Sequence, residues 1–514
     1  MEHDPLTKKF LECHANDCAA RTVTPLQKIN YLLIAAALMV LLFFRWDFFV
    51  AVLTVFFAFW YSLAVIFRGA AAFLSLSRKS ELRFSPEAVA ELHDEDLPVY
   101  TILLPLFKES AVAPKLLKNI GALDYPHDKL DVKLLIEAND DETRQTLDRE
   151  ELPSYCSVLV IPPGIIQTKP RACNYGLTEA KGRFCVIYDA EDEPEKDQLK
   201  KAVLAFRDDK SGKLLCVQAK LNYFNARYNW LTRLFTVEYS TYFDLTLGGY
   251  QRFGLPLPLG GTSNHFRTEL LQKVGPWDPF NVTEDCDLGL RIYEKGYRTA
   301  LLDSTTYEEA NSKLGNWLRQ RSRWVKGFIQ THFVHYRSLW GAVRKLGLWG
   351  AMGGYLAIGG GSLMMLVNPV FWCLLILYVL LLIHGYCHGI PLEHLIIGPQ
   401  TELGSYQGIF GLRAWPLFYS GAGENCWYAL FSRIFCGISA ALLAANLLFI
   451  GTGVAACFKR KNYDLIPAAL CMPFYWMLIS IAAWKGFIQI FTKPFYWEKT
   501  THGLTTTQNS NTGD

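Results

Sequence analysis

The chain alternates between long apolar blocks and stretches of ordinary soluble composition. Residues 30–44 and 48–67 contain no charged side chain and are separated by the short polar stretch 45–47. Because about 20 apolar residues cross a bilayer, these two blocks predict a transmembrane hairpin. Further apolar blocks fill most of residues 346–386, 434–458 and 465–492. The pattern therefore predicts a soluble domain framed by membrane segments.

Within the soluble stretch, short apolar runs alternate with segments of helical spacing. Runs of this length are typical of buried parallel strands. The predicted strands are residues 99–107, 132–140, 156–164, 183–192 and 213–221, with helices at 171–182 and 197–206 among them. This order predicts an α/β domain with a mostly parallel sheet and helices on both faces.

Polar side chains follow three of the predicted strands where each strand ends. Lys108 and Glu109 follow the first strand, residues 137–141 end the second, and residues 189–192 end the fourth. Ligands bind outside the carboxyl ends of such strands, so the functional site is expected there. No Gly-rich phosphate loop follows a strand, which argues against P-loop and dinucleotide sites.

Basic residues flank the predicted hairpin on both sides, which predicts that both flanks are cytoplasmic. The expected organisation is a cytoplasmic segment 1–29, a hairpin 30–67, a cytoplasmic catalytic domain 78–340, membrane and interfacial helices 341–492, and a tail 493–514. Two alternatives remain for the apolar block at residues 346–386. Either Asn368-Pro369 is the tip of a second hairpin, or residues 346–362 lie at the membrane interface and only residues 364–386 cross the membrane.

Composition narrows the class of partner and the compartment. The formal net charge of +3 gives no reason to expect a nucleic acid partner, and 51% apolar residues agree with a membrane protein. The 13 cysteines have no regular spacing. In a reducing compartment they are expected to be small buried apolar residues rather than disulfides or a zinc site.

Two charged clusters follow the predicted sheet, and each has two interpretations. Glu284, Asp285 and Asp287 follow Thr283, where acids complement a helix N-terminus or take part in catalysis. Residues 318–327 contain three arginines, which favours either a basic face beneath lipid headgroups or an anion-binding site.

Taken in order, these stretches resemble a known family. The series LLPLFKE, EANDDET, KPRACNYG, DAED, TED and QRSRW is similar to that of the processive family 2 glycosyltransferases, such as the cellulose, chitin and hyaluronan synthases. The resemblance covers roughly residues 98–335. It implies a GT-A-like domain, a nucleotide-diphosphate-sugar donor and an inverting transfer.

The resemblance also implies roles for donor-binding residues. Asp140 or Asp141 would hold the nucleoside with help from Glu137, and Lys169 would meet the diphosphate. Asp189 matches the first acid of the Asp-x-Asp metal motif, and either Glu191 or Asp192 is the second ligand of Mg²⁺ or Mn²⁺. The remaining expected substrate-binding residues from the first motif are Pro105 and Glu109.

At the acceptor side, Asp285 matches the general base, with Glu284 beside it. Gln320, Arg323 and Trp324 match the pattern that closes over the diphosphate and the acceptor end. Residues 493–503 resemble the family's gating loop, so that Trp497 and Thr500 would reach the donor pocket, whereas the alternative is a membrane-surface anchor.

The chemistry explains these residue types. A carboxylate takes the proton of the attacking hydroxyl, a divalent cation with oxygen ligands acts on the diphosphate, and Arg and Lys add fixed positive charge. The sequence thus predicts a multi-pass protein of the inner (plasma) membrane that polymerises a β-linked polysaccharide from UDP-glucose or UDP-N-acetylglucosamine. The growing glycan or a lipid-linked acceptor, the bilayer and envelope export proteins are the expected partners.

Two other functions fit the same motifs. One is transfer of a single sugar to a lipid carrier, and the other is a transferase-fold subunit of an envelope receptor or exopolysaccharide complex. The ordered motifs favour the polymerase over single-sugar transfer. The full set of acids favours an enzyme over a transferase-fold subunit.

Overall fold

One eight-stranded mixed sheet forms the centre of the α/β domain. The structure is a computed structural model that describes residues 3–110, 112–149, 151–389, 426–496 and 498–500. The strands are β1 Tyr100–Leu106, β2 Leu130–Glu137, β3 Cys156–Ile161, β4 Phe184–Ile187, β5 Glu193–Pro194, β6 Leu214–Tyr223, β7 Asn264–Arg267 and β8 Arg298–Glu308. Their order in the sheet is β3-β2-β1-β4-β7-β6-β8-β5.

Helices cover the sheet and continue into the apolar blocks. They are α1 Pro5–His14, α2 Pro25–Phe44, α3 Trp46–Leu74, α4 Pro86–Ala90, α5 Ala113–Gly121, α6 Asp141–Arg149, α7 Lys169–Thr178, α8 Gln198–Asp208, α9 Trp230–Ser240, α10 Leu247–Phe253, α11 Thr268–Val274, α12 Glu284–Glu294, α13 Leu314–His335, α14 Leu339–Gly354, α15 Gly361–Cys387, α16 Cys426–Lys459, α17 Ile466–Leu470 and α18 Met472–Thr492. This is the α/β architecture with apolar helices that the sequence predicts.

The sheet has a hydrophobic core on each face because alternate side chains of a strand point to opposite sides. In β1, Ile102 and Leu104 pack into one core cluster, whereas Leu103 packs into the cluster on the other face. All three are fully buried. Near-continuous apolar strands are therefore explained by burial on both faces.

The sheet is less parallel than the sequence predicts, and β5, β7 and β8 were not predicted. The β1 to β4 pairing is parallel, but β7 runs antiparallel to both β4 and β6, and β5 runs antiparallel to β8. Asn264 and His265 of β7 are buried. The His265 ring contacts the Tyr100 hydroxyl at 2.7 Å, and burial lowers its pKa to about 3.

Four helical segments of the described residues are long and apolar enough to cross a membrane. They are Ala19–Phe44, Val52–Leu74, Leu339–Cys373 and Met472–Thr492. Residues 361–387 form one helix that continues through Pro369, so the second hairpin with its tip at Asn368-Pro369 does not form. The turns Thr241–Thr246 and Tyr355–Gly360 are π-helical.

The catalytic and membrane parts share a core. Helix α13 packs along α18, where the Trp317 indole N–H donates to the Tyr475 hydroxyl at 3.2 Å. A Cβ added at Gly486 would lie 2.5 Å from the Ser322 carbonyl oxygen, so only glycine permits this approach. The helix that carries the QRSRW motif is thereby fixed against a membrane helix.

Candidate active site

One cavity of about 410 Å³ joins the carboxyl ends of β1 and β4 to the membrane helices. Most of the residues expected at the site line it: Pro105, Glu109, Glu137, Lys169, Asp189, Glu191, Glu284, Asp285, Gln320, Arg323, Trp324 and Thr500. The fold therefore brings together residues that lie far apart in the sequence.

Lys169 and Asp189 form an ion pair in this cavity. The Lys169 Nζ lies 2.5 Å from Asp189 Oδ1 and donates to the Gly261 carbonyl oxygen at 2.7 Å. Lys169 begins α7 and Asp189 follows β4, so the pair spans a helix N-terminus and a strand end. Burial lowers the pKa of Lys169, but Asp189 and Glu284 outweigh it and raise that pKa overall, so the ammonium stays charged.

Glu191 and Asp192 occupy different environments. Glu191 lines the cavity, whereas Asp192 is fully buried. Asp192 Oδ2 accepts hydrogen bonds from the Asp189 backbone N–H at 2.8 Å and from the Thr262 hydroxyl. Burial, reinforced by Asp189 and Glu191, raises the pKa of Asp192 well above its usual range. Of the two candidate second ligands, only Glu191 thus faces the space beside Asp189.

Asp285 and Glu284 are neighbouring acids at the start of α12 with different proton affinities. Burial raises the pKa of Asp285 to about 6, and the Cys286 backbone N–H, which donates to Asp285 Oδ1 at 2.7 Å, opposes that rise. Burial and then the Asp285 charge raise the pKa of Glu284 to about 8. The pKa of Glu284 is thus raised further than that of Asp285, which favours Asp285 as the ionised member of the pair, and paired carboxyls take separate roles in this way.

Gly261 brings these groups close together. A Cβ built on Gly261 would lie 3.5 Å from Asp285 Oδ2 and 3.8 Å from Lys169 Nζ. The candidate base and the candidate diphosphate-binding cation thus border one small space at the end of the sheet.

Of the three carboxylates expected to bind the nucleoside, only Glu137 lines the cavity. Glu137 lines the cavity, and burial raises its pKa to about 7 despite the Arg171 guanidinium 3.4 Å away. Asp140 is buried instead, where its carboxylate accepts backbone N–H groups of Lys108 and Thr143 at 2.5 and 3.3 Å. Asp141 is exposed at the first position of α6. Neither of these two aspartates lines the cavity.

Helix α13 and the C-terminal segment close the cavity. The Gln320 side-chain oxygen accepts from Asn311 at 2.8 Å, and the Trp324 ring packs 6.0 Å from that of Tyr239. Burial lowers the pKa of Arg323, and the acids Glu284, Asp189, Glu191 and Asp285 oppose that change. The guanidinium therefore faces the acidic cluster.

Residues 498–500 lie against the donor side of the cavity. Lys499 Nζ is 3.2 Å from Glu109 Oε1, and Thr500 is buried. Lys326 donates to the Tyr496 carbonyl oxygen at 2.6 Å, which fixes the preceding turn to α13. Trp497 lies outside the described residues.

Sequence reasoning missed two acids in the cavity wall, Glu238 of α9 and Glu308 of β8. Burial and the nearby Asp192 and Glu191 charges raise the pKa of Glu308 well above its usual range. Each acid occurs in a segment without a motif, so only the fold reveals their position. Glu238 is paired with Arg321 at 2.5 Å, a residue inside the QRSRW motif.

The acids suit a divalent cation in part. Within the described residues no group of three His, Cys, Asp or Glu side chains is arranged to hold a metal. Mg²⁺ is often bound through one or two carboxylates and substrate phosphates, and Asp189 and Glu191 on one cavity wall fit that mode.

The domain is similar to known glycosyltransferases. Residues 184–387 match the model of the family described as Glycosyl transferase family group 2. The probable glycosyltransferase YdaM of Bacillus subtilis is 29% identical over 237 residues, 45% of this chain and 56% of that protein. A beta-monoglucosyldiacylglycerol synthase of Synechocystis sp. is 26% identical over 278 residues, 51% of this chain and 56% of that protein.

Among solved structures, the mannosyltransferase PcManGT from Pyrobaculum calidifontis, in complex with GDP-Man and Mn²⁺, aligns with a TM-score of 0.39. Its sequence identity is 19%, over 75% of this chain and 98% of that chain. The chain spans about half the length of the curated relatives it matches.

Proposed function

We propose that this chain, whose residues 184–387 match the Glycosyl transferase family group 2 model, is a membrane-embedded inverting enzyme that extends a β-linked polysaccharide from a UDP-sugar. The observation that supports this most is the single cavity that joins the Lys169–Asp189 pair to the membrane helices. A donor bound at the strand ends and an acceptor within the helices would meet beside Asp285. Under this proposal the catalytic domain, residues 78–340, is cytoplasmic and the protein lies in the inner membrane.

The reaction follows from the placement of the charged groups. Asp285 accepts the proton of the acceptor hydroxyl as its oxygen bonds to the anomeric carbon from the side opposite the diphosphate. The bond between that carbon and the diphosphate oxygen breaks, and Lys169 and Arg323 stabilise the charge on the leaving group. Mg²⁺ or Mn²⁺, held by Asp189 and Glu191, would supply Lewis acidity to that diphosphate. No covalent nucleophile is needed for inversion.

The remaining cavity residues bind and orient. Glu137 faces the space for the nucleoside, and Pro105 and Glu109 border it. Thr500 borders the donor side of the cavity, whereas Trp324 and Gln320 of α13 line the acceptor side.

Transfer of one sugar to a membrane lipid is a second candidate, because the membrane end of the cavity is largely aliphatic. Met364, Met365 and Ile479 line that end beside Trp476. Acyl chains fit such a surface, and one of the similar proteins is a beta-monoglucosyldiacylglycerol synthase. The two candidates share every donor-side residue and differ only in the acceptor.

Purified full-length protein should be incubated with labelled UDP-glucose or UDP-N-acetylglucosamine and Mg²⁺ or Mn²⁺. UDP release and product length are measured, with Asp285→Asn as the matched inactive variant. A glycan of many units supports the polymerase, and a single sugar on a lipid replaces it with the second candidate. UDP release that is equal in wild type and Asp285→Asn would contradict the assignment of the base. Absence of UDP release with every donor would favour the transferase-fold subunit.

A further inference from the structure

Helix α3 presents one face to the cavity, and that face ends in a cation. Tyr61, Ala64, Val65 and Arg68 all line the cavity. Residues at this spacing fall on one side of a helix. Arg68 lies within Val52–Leu74, a segment apolar enough to cross a membrane. A cationic side chain therefore lies in the cavity wall at the membrane.

The Arg68 guanidinium has no carboxylate partner within ion-pair distance among the described residues. Its Nε is buried without a hydrogen bond, and its neighbours are the Tyr250 hydroxyl and the Phe449 ring, 5.9 Å from Cζ. A charge in a membrane segment is costly unless it is paired, and such residues mark functional sites. By contrast Lys485, in another membrane helix, is paired with Glu498 at 2.8 Å.

The packing keeps the guanidinium in this position. A Cβ added at Gly361 would lie 2.6 Å from Arg68 Nη2. Glycine at this position of α15 therefore makes room for the guanidinium between α3 and α15. Any larger side chain would displace the charge.

Arg68 lines the same cavity as the candidate base Asp285, and Tyr242 lines it as well. Burial, Cys286, Tyr250 and Asp285 raise the pKa of Tyr242, and the Arg68 charge lowers it. An anion bound by Arg68 would therefore lie in the cavity that also holds the candidate base.

We propose that Arg68 binds the phosphate group of a lipid whose chains lie along the aliphatic end of the cavity. Arg is suited to phosphate because its planar fork makes paired hydrogen bonds. Arg68 lies about 9 Å from the C-terminal end of α3 at the helical rise of about 1.5 Å per residue, so it is near one end of that apolar helix. Met365, Phe449 and Ile479 provide apolar contacts for the chains. The phosphate belongs either to a lipid-linked acceptor, which rests on the proposed function, or to a bilayer phospholipid.

Binding is tested first without any donor. Full-length protein in neutral detergent is titrated with dodecyl phosphate, with dodecanol as the uncharged probe, and the shift in unfolding temperature is measured. Dodecyl phosphate should bind wild type, and Arg68→Gln should weaken its affinity by about tenfold or more, as expected for lost charged hydrogen bonds. Arg68→Lys should retain part of the affinity. Arg227→Gln is the matched control, because Arg227 is exposed and pairs with Asp464 elsewhere.

A second variant distinguishes loss of phosphate binding from misfolding. Gly361→Ala keeps the arginine but displaces its head, and it should weaken dodecyl phosphate binding while the protein stays monodisperse. Equal binding of dodecyl phosphate by wild type and Arg68→Gln, or equal binding of dodecanol and dodecyl phosphate by wild type, would overturn the proposal.

Turnover identifies the source of the phosphate. If a lipid-linked acceptor is the ligand, polyprenyl phosphate increases UDP release by wild type and carries the labelled sugar. If a phospholipid is the ligand, phosphatidylglycerol in phosphatidylcholine vesicles competes with dodecyl phosphate and carries no label. Failure of the proposed function would abolish UDP release from wild type with every donor, whereas the donor-free binding result would be unaffected.

Discussion

The carboxylate of Asp192 accepts the backbone N–H of Asp189 at 2.8 Å and thereby fixes the turn that presents Asp189 to the cavity. The same oxygen accepts from the Thr262 hydroxyl, and Asp192 Oδ1 is buried without a hydrogen-bond partner. Burial, reinforced by the Asp189 and Glu191 charges, raises the pKa of Asp192 well above its usual range and so favours the protonated form of this carboxyl. The acidic stretch after β4 thus divides into cavity-facing and structural carboxyls.

This division predicts different effects for two conservative substitutions. Asp192→Asn copies the neutral acid and keeps an oxygen acceptor, so the Mg²⁺ or Mn²⁺ concentration for half-maximal UDP release should not change. Glu191→Gln removes a cavity-facing charge, and that concentration should rise about tenfold, which corresponds to about 1.4 kcal/mol. Asp192→Ala should instead lower stability by about 1–3 kcal/mol, because buried donors lose their acceptor. A higher metal requirement in Asp192→Asn than in Glu191→Gln would contradict the division.

The rate of UDP release should depend on pH through Asp285. A general base works when it is deprotonated, and burial raises the pKa of Asp285 to about 6. The rate should therefore be nearly constant above that pH and fall as the pH drops through about 6. Asp285→Asn should reduce UDP release by about 10²-fold or more and leave donor binding in place.

Glu284 provides the matched control for that experiment. Burial and the Asp285 charge raise its pKa to about 8, so it is protonated at pH 7. Glu284→Gln copies the protonated form and should keep most of the rate at pH 7. Loss of activity in Glu284→Gln with activity retained in Asp285→Asn would show that the two roles are exchanged, and equal losses would contradict the use of Asp285 alone as the base.

Much of the sheet could be predicted because burial on both faces leaves a mark in the sequence. The run at residues 99–107 is apolar except for Thr101, and it became β1, Tyr100–Leu106. Strand β7 could not be found this way. It has four residues, and its buried His265 contacts the Tyr100 hydroxyl far along the chain. From the sequence alone a polar residue is predicted to be exposed, because its buried hydrogen-bond partners are known only from the fold.

The candidate site was predictable to the extent that it consists of motifs. Lys169 and Asp189 were both singled out, but their direct contact was not, because it depends on how α7 meets the end of β4. The structural role of Asp140 could not be predicted either. A carboxylate that accepts a loop N–H, as Asp140 does from Lys108, and one that binds a ligand occur in the same sequence context. Glu308 carried no signal, since it is one acid among others in its strand.

Gly261 should control the fit of the donor. A Cβ at this position would meet Asp285 Oδ2 at 3.5 Å and Lys169 Nζ at 3.8 Å, which are ordinary contact distances. Gly261→Ala should therefore fold normally but occupy space beside the diphosphate, so that KM for the UDP-sugar rises several-fold at unchanged unfolding temperature. Gly315→Ala is the control, because nothing lies within 4 Å of a Cβ there. Equal KM values for the two variants would argue against a donor at this place.

The pair Glu238–Arg321 should position Trp324 at the acceptor side. Arg321 Nη2 donates to Glu238 Oε1 at 2.5 Å, and its Cζ lies 5.0 Å from the centre of the Trp324 ring. The Tyr475 hydroxyl of α18 donates to the other Glu238 oxygen at 2.7 Å, so a membrane helix takes part in this arrangement.

Glu238→Gln would leave the buried Arg321 without its carboxylate. Breaking a buried pair from one side costs about 3–5 kcal/mol, and the unfolding temperature should fall accordingly. Arg321→Met together with Glu238→Gln removes both charges and should recover part of that loss, which a double-mutant cycle measures. Because Arg321 stacks on Trp324, the double variant should still bind donor yet make shorter products or use acceptor poorly. Additive losses with unchanged product length would show that the ion pair and the Trp324 platform are independent.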